Sequence, residues 1–240
     1  MLLDISVPVT VIFVLICVIV FFVFVKMLVS PLLASGKRRL AYGVTIVLVT
    51  WIIIQNLLSL SGFYLASFAL PPRALLILLP PILAMIIFFV FFSRSSYFQS
   101  VSLKTLTHIQ LFRLPLEVFV LSSLALAGYV PDIMTYYGRN FDVIVGITAP
   151  IMAYFYFNKQ ALSWKALLVW NIVSLLLLFN VTSHAVLAMP YPDIQVFAFE
   201  QPNIGVFYFP YIWLPALLVQ VAYFCQIASI IKLIRYRQEA

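Results

Sequence analysis

Seven apolar runs, separated by short polar or proline-containing stretches, occupy most of the chain: 5–29, 40–65, 72–93, 103–127, 141–157, 165–188 and 205–232. Each approaches or exceeds the roughly 17–25 residues that carry a helix across a hydrocarbon core of about 30 Å. The pattern predicts an all-α fold, a polytopic bundle of about seven transmembrane helices forming one integral membrane domain over residues 1–240. The fifth run is the shortest. The first is not expected to be a cleavable signal peptide. It opens Met1-Leu2-Leu3-Asp4 with no basic segment, and its apolar stretch exceeds the roughly 7–15 residues of a signal's core.

Composition strengthens this picture. Of 240 residues, 65% are hydrophobic and 9% charged, against about 25% charged in a soluble domain. Such a chain cannot cover a hydrated surface, and lipid is its expected partner. Charge sets the orientation. With the N-terminus outside, the cytoplasmic segments hold Lys26, Lys37, Arg38, Arg39, Arg94, Lys104, Lys159, Lys165, Lys232, Arg235 and Arg237, and the outer ones only Arg73 and Arg139. That excess of cations on one side predicts an N-out, C-in topology, and the plasma membrane, in a bacterium the inner membrane, as the location. The acids run the other way, with Asp4, Asp132, Asp142, Asp193 and Glu200 outside and Glu239 inside. The net charge of +7 thus reads as topology signals at span ends, and no nucleic-acid partner is expected. Cys17 and Cys225 fall within apolar runs at different depths, so two free thiols are expected.

The polar residues inside the runs carry the candidate chemistry. In the fourth run, Arg113 and Glu117 lie about 15 and 21 Å from the inner end at a 1.5 Å rise per residue. A charge near mid-bilayer costs at least about 2.5–3.5 kcal/mol, so both are expected to face the bundle interior. Spaced i,i+4, they share a helix face and can pair. The order, cation before acid, is the weaker one, which leaves room for partners on other helices. Pro115 between them, with Pro150 and Pro215, is expected to break helices at similar depth, as transporters do at midplane sites; Pro80-Pro81 interrupt the third run. Gln55, Asn56 and Asn180 fall near the depth of Glu117, and Gln110 nearer the inner side with His108, Asn171 and Gln220. These amides either line a polar track or hydrogen-bond between helices. Glu117 is the expected site of proton exchange.

A second polar concentration is expected at the outer face. Arg139, Asp142, His184 and Glu200 lie beside tyrosines and phenylalanines that suit an interfacial belt. They are candidates to line an outward-facing pocket. His108 and His184 lie at opposite ends of their spans, which excludes a haem held between them, and no spacing supports a metal site. No cofactor is expected.

Seven spans in this orientation are similar to rhodopsins and seven-helix receptors, but Lys232 sits at the end of the last run, not deep within it where retinal would need a lysine. The sugar-transporting SWEET family shares the span count, yet its Pro-Gln motif and internal repeat are absent here. The runs Arg113-Leu114-Pro115-Leu116-Glu117, Gly138-Arg139-Asn140-Phe141-Asp142 and Thr148-Ala149-Pro150 resemble uncharacterised bacterial multi-span membrane proteins. That likeness covers the chain from about residue 103 onward and implies no activity. No nucleotide-binding loop, serine elbow, His-Glu-x-x-His or Cys-x-x-Cys is present, which argues against familiar hydrolases and ATPases. Three readings follow. The first is binding or translocation of a small solute, ion or proton around Arg113 and Glu117. The second is a non-catalytic subunit or scaffold of a membrane complex, with a membrane-protein partner or a second copy of the chain. The third is a membrane-embedded enzyme acting on a lipidic substrate at the outer face. An open cavity reaching Arg113 would favour the first.

Overall fold

The computed structural model describes residues 3–235; Arg237 and Glu239, which enter the charge comparison above, lie outside the described residues. The protein is all-helical, with 72% of residues in helices and no strand among the described residues. Among the described residues six helices are long and apolar enough to cross a membrane: α1 (Val7–Ala34), α2 (Arg38–Leu60), α3 (Leu75–Phe92), α5 (Leu103–Leu126), α7 (Trp164–Leu187) and α8 (Leu214–Arg235). Between them lie a short helix α4 (Ser96–Ser100) and a 17-residue apolar helix, α6 (Asp142–Asn158).

Side-chain caps mark several starts. The hydroxyls of Ser95, Ser102 and Ser163 accept from the backbone N–H of Phe98, Thr105 and Ala166, satisfying donors that a helix start leaves unpaired. Glycines at positive φ follow α1 at Gly36 and α5 at Gly128, where only a residue without Cβ turns left without strain.

At one end, here the basic end, Lys104 Nζ donates to Asn158 Oδ1 at 3.1 Å, joining the start of α5 to the end of α6. There too Lys232 Nζ donates to the carbonyls of Phe98 and Gln99, and Arg235 donates to Ser93 Oγ at 2.7 Å. At the opposite, loop end, Ser59 Oγ donates to the Phe207 carbonyl, and Gly205 N–H donates to that of Tyr129 at 2.8 Å. The last apolar run does not become α-helix from its start. Pro210 disfavours helical geometry at Phe209, and 205–213 instead forms a short turn and a buried plug containing Val206, Phe207, Tyr211 and Ile212.

Burial divides the helices sharply. In the most apolar window of α8, 67% of residues are buried within the protein, and 56% in α5, but only 6% in α3. Helices α5 and α8 therefore form the centre, while α3 presents nearly all of its apolar surface outward. In water such a face would aggregate; in a bilayer it is solvated.

Candidate functional site

Pro115 and Pro150 leave their helices continuous, contrary to the expectation of breaks, and Pro215 stands in the first turn of α8. Helix α5 changes pitch instead. It runs as α-helix to His108, tightens to 3-10 geometry over Ile109–Phe112, and widens to π geometry over Leu116–Leu121, just after Pro115. Helix α6 is π-helical over Tyr154–Asn158, after Pro150, and α8 over Leu214–Leu218, around Pro215. Proline lacks an N–H and crowds the carbonyl four residues back. A wider turn accommodates both, and such turns are frequent at functional sites.

These pitch changes also re-aim side chains. Arg113 does not pair with Glu117. Its Nη1 donates to Asp142 Oδ1 at 3.1 Å, and the two side chains are 1% and 5% exposed. Asp142, assigned by sequence to the outer face, is instead an interior residue. The reason lies in the segment before it. Residues 129–141 pack part of their length into the bundle, burying Val130, Met134, Thr135 and Asn140 while Tyr136, Tyr137, Arg139 and Phe141 stay exposed, so α6 begins with Asp142 buried beside Glu117. Asn140 organises the junction. Its Oδ1 accepts from the N–H of Asp142 at 3.0 Å, and its Nδ2 donates to Glu117 Oε2 at 2.5 Å and to the Met134 carbonyl at 2.9 Å. Asn180 fastens the same segment by donating to the Arg139 carbonyl at 2.7 Å. Asp142 also occupies the first turn of α6, where a carboxylate meets the positive end of the helix dipole.

Close backbone contact brings the ion pair together. One turn beyond Asp142 on the same face, Gly146 packs on Leu114. A Cβ at Gly146 would lie 2.4 Å from the Leu114 nitrogen and 2.8 Å from its Cα. Only hydrogen fits there. The crossing of α5 and α6 at this glycine places Asp142 within reach of Arg113.

A cleft of about 890 Å³ reaches this cluster. Arg113 and Glu117 of α5 and Asp142 of α6 lie along it, beneath apolar walls from α3, α7 and α8. Ile86 and Val90 of α3 and Phe179 of α7, which also line it, are among the most exposed apolar side chains. The mouth therefore opens between apolar helices. Two further amides on the cleft have their nitrogens engaged: Gln220 Nε2 donates to the Pro215 carbonyl, and Asn203 Nδ2 to that of Ala185. Their oxygens, with Arg113 Nε and Nη2, have no hydrogen-bond partner among the described residues. Unpartnered groups at this burial are uncommon in a native protein.

No family model, curated protein or solved structure matches this chain. The site must speak for itself.

The remaining sequence candidates are dispersed. Gln55 accepts from the Tyr64 hydroxyl, in the turn after its own helix, at 2.7 Å, and Asn56 Oδ1 accepts from Trp213 Nε1 at the start of α8; neither residue lines the cleft. Gln110 is buried, with both side-chain polar atoms unpartnered among the described residues, and does not line the cleft. At the loop end the expected outer pocket does not assemble. Arg139 is exposed, His184 Nδ1 meets the Asn180 carbonyl and its ring packs on Phe197, and Glu200 borders a separate depression with Pro131 and Ile133. Among the described residues no three His, Cys, Asp or Glu side chains converge on one point. Asn140 and Asn203 went unselected in the sequence. Asn140 carried a legible signal, an Asn two residues before an acid at the head of an apolar run, but Asn203 carried none.

Proposed function

We propose that this is a multi-pass membrane protein that binds or translocates a small solute, ion or proton at an intramembrane site built on Arg113, Asp142 and Glu117. The observation that supports it best is the cleft reaching a buried ion pair. A buried pair gives little net stability over apolar packing, so its position along an open cleft argues for use. Intramembrane ionisable residues by default mark such pathways. Glu117 is the working group in this reading. Arg113 and Asp142 are its charged neighbours, and Asn140 holds one carboxylate oxygen while the side chain borders the cleft. Infrared difference spectra across pH 5–9 test it directly. A carboxylic C=O band is expected to appear and vanish within that range and to be missing in Glu117→Gln. A Glu117 ionised throughout would reduce the cluster to a structural staple and bring the scaffold reading forward.

Seven spans with the N-terminus outside complete the proposal. Helix α6 is about 25 Å long at 1.5 Å per residue, short for a full crossing. Its length is made up by the inward-turning 129–141 segment above it, and α6 lies antiparallel to α5 with its end at Lys104. The orientation rests on the cations gathered at the basic end. A cysteine at position 35 is expected to resist an impermeant thiol reagent in intact cells, and one at position 195 to label. The reverse pattern overturns the orientation. Both native cysteines are free and buried, so they give a low background.

A further inference from the structure

We infer that the ligand of this site is a lipophilic organic monocation, entering sideways from the bilayer between α3 and α7 and settling its charge against Glu117. This rests on the intramembrane binding reading above and narrows it to a chemical class. The first argument is charge. The cluster holds one guanidinium and two carboxyl groups along one cleft, with no further charged side chain lining it. Arg113 and Asp142 neutralise each other at 3.1 Å. Glu117, held by the neutral amide of Asn140, is left as the excess anion. In a low-dielectric site a lone carboxylate either takes up a proton or meets a cation, so a cation that replaces the proton on Glu117 is selected by charge ahead of any partner for the two free guanidinium nitrogens.

The second argument is the sense of the free groups that border the cleft. The nitrogens of Gln220 and Asn203 are tied to backbone carbonyls, and their oxygens, buried in the wall, are left as unpartnered partial negative charges. Acceptors attract N–H donors and positive charge. The aromatic rings of Phe112 and Tyr223 also line the cleft, and aromatic faces favour cations over anions. The third argument is the wall. Apolar side chains of α3, α7 and α8 enclose a volume that suits a drug-sized hydrophobic body. The mouth lies at Ile86, Val90 and Phe179, where an amphiphile dissolved in lipid arrives without crossing water.

Tetraphenylphosphonium and tetraphenylborate test this as ions of nearly equal shape and opposite charge. Binding is measured to the purified full chain in nanodiscs, with protein-free nanodiscs subtracted. Saturable binding of the phosphonium is expected. It should weaken roughly tenfold to hundredfold in Glu117→Gln, recover in Glu117→Asp, and be lost when Val219→Trp fills the cleft. Saturable binding of the borate in preference, blocked by Val219→Trp, would overturn the cation assignment and leave the intramembrane binding reading standing. Phosphonium binding that survives both Glu117→Gln and Val219→Trp would overturn the assignment and the cleft together. Absence of saturable binding by either ion overturns the cation assignment, and the infrared test of Glu117 then decides the wider reading separately.

Discussion

Removing either Arg113 or Asp142 alone is expected to destabilise the protein by roughly 3–5 kcal/mol, because each leaves the other buried without its ion-pair partner. The partners are 1% and 5% exposed, and two guanidinium nitrogens already lack protein partners among the described residues. Removing both, as Arg113→Met with Asp142→Ala, is expected to cost clearly less than the sum. Reversible unfolding in mixed micelles measures the cycle. Additivity to within about 0.5 kcal/mol would show that the two do not share a site. The same cycle between Arg113 and Glu117 is expected to give the smaller coupling, since those two form no ion pair.

The second large effect comes from a single methyl group. Gly146→Ala places a Cβ 2.4 Å from a backbone nitrogen of α5, and backbone, unlike the tip of a side chain, cannot swing aside. The two helices must move apart. The expected cost is at or above the roughly 1–3 kcal/mol usual for overpacking. A functional loss should accompany it, because Asp142 lies one turn away on the same face. The Glu117 infrared band and the stability should therefore change together in this variant. A Gly146→Ala protein with wild-type stability would show that the close crossing is dispensable.

How much of this was legible in the sequence depends on the kind of signal. The apolar runs mark the long helices because lipid exposure demands uninterrupted apolarity. Arg113 and Glu117 stand out because charge is rare there. Asp142 was misplaced for a definable reason. An apolar run implies a start at a membrane surface, whereas α6 starts with Asp142 buried in the bundle. Nothing in residues 129–141 announces that they turn inward; their burial comes from neighbours on α5, α7 and the 201–205 segment. The cleft was equally unreadable, since it is a gap between α3 and α7, and a gap depends on helix placement and not on composition.

The Arg113–Asp142 pair also bears on how the chain enters a membrane during synthesis. Its two members sit on successive helices, 29 positions apart, joined by a connection that folds back between them. Helix α5 presented alone brings Arg113 and Glu117 into hydrocarbon with no counter-charge from another helix, at about 2.5–3.5 kcal/mol for the arginine alone. Helices α5 and α6 presented together as a hairpin bring Asp142 with them, and the arginine arrives already neutralised. In such a hairpin the close approach at Gly146 is what would hold Asp142 within reach of Arg113 before any other helix is added.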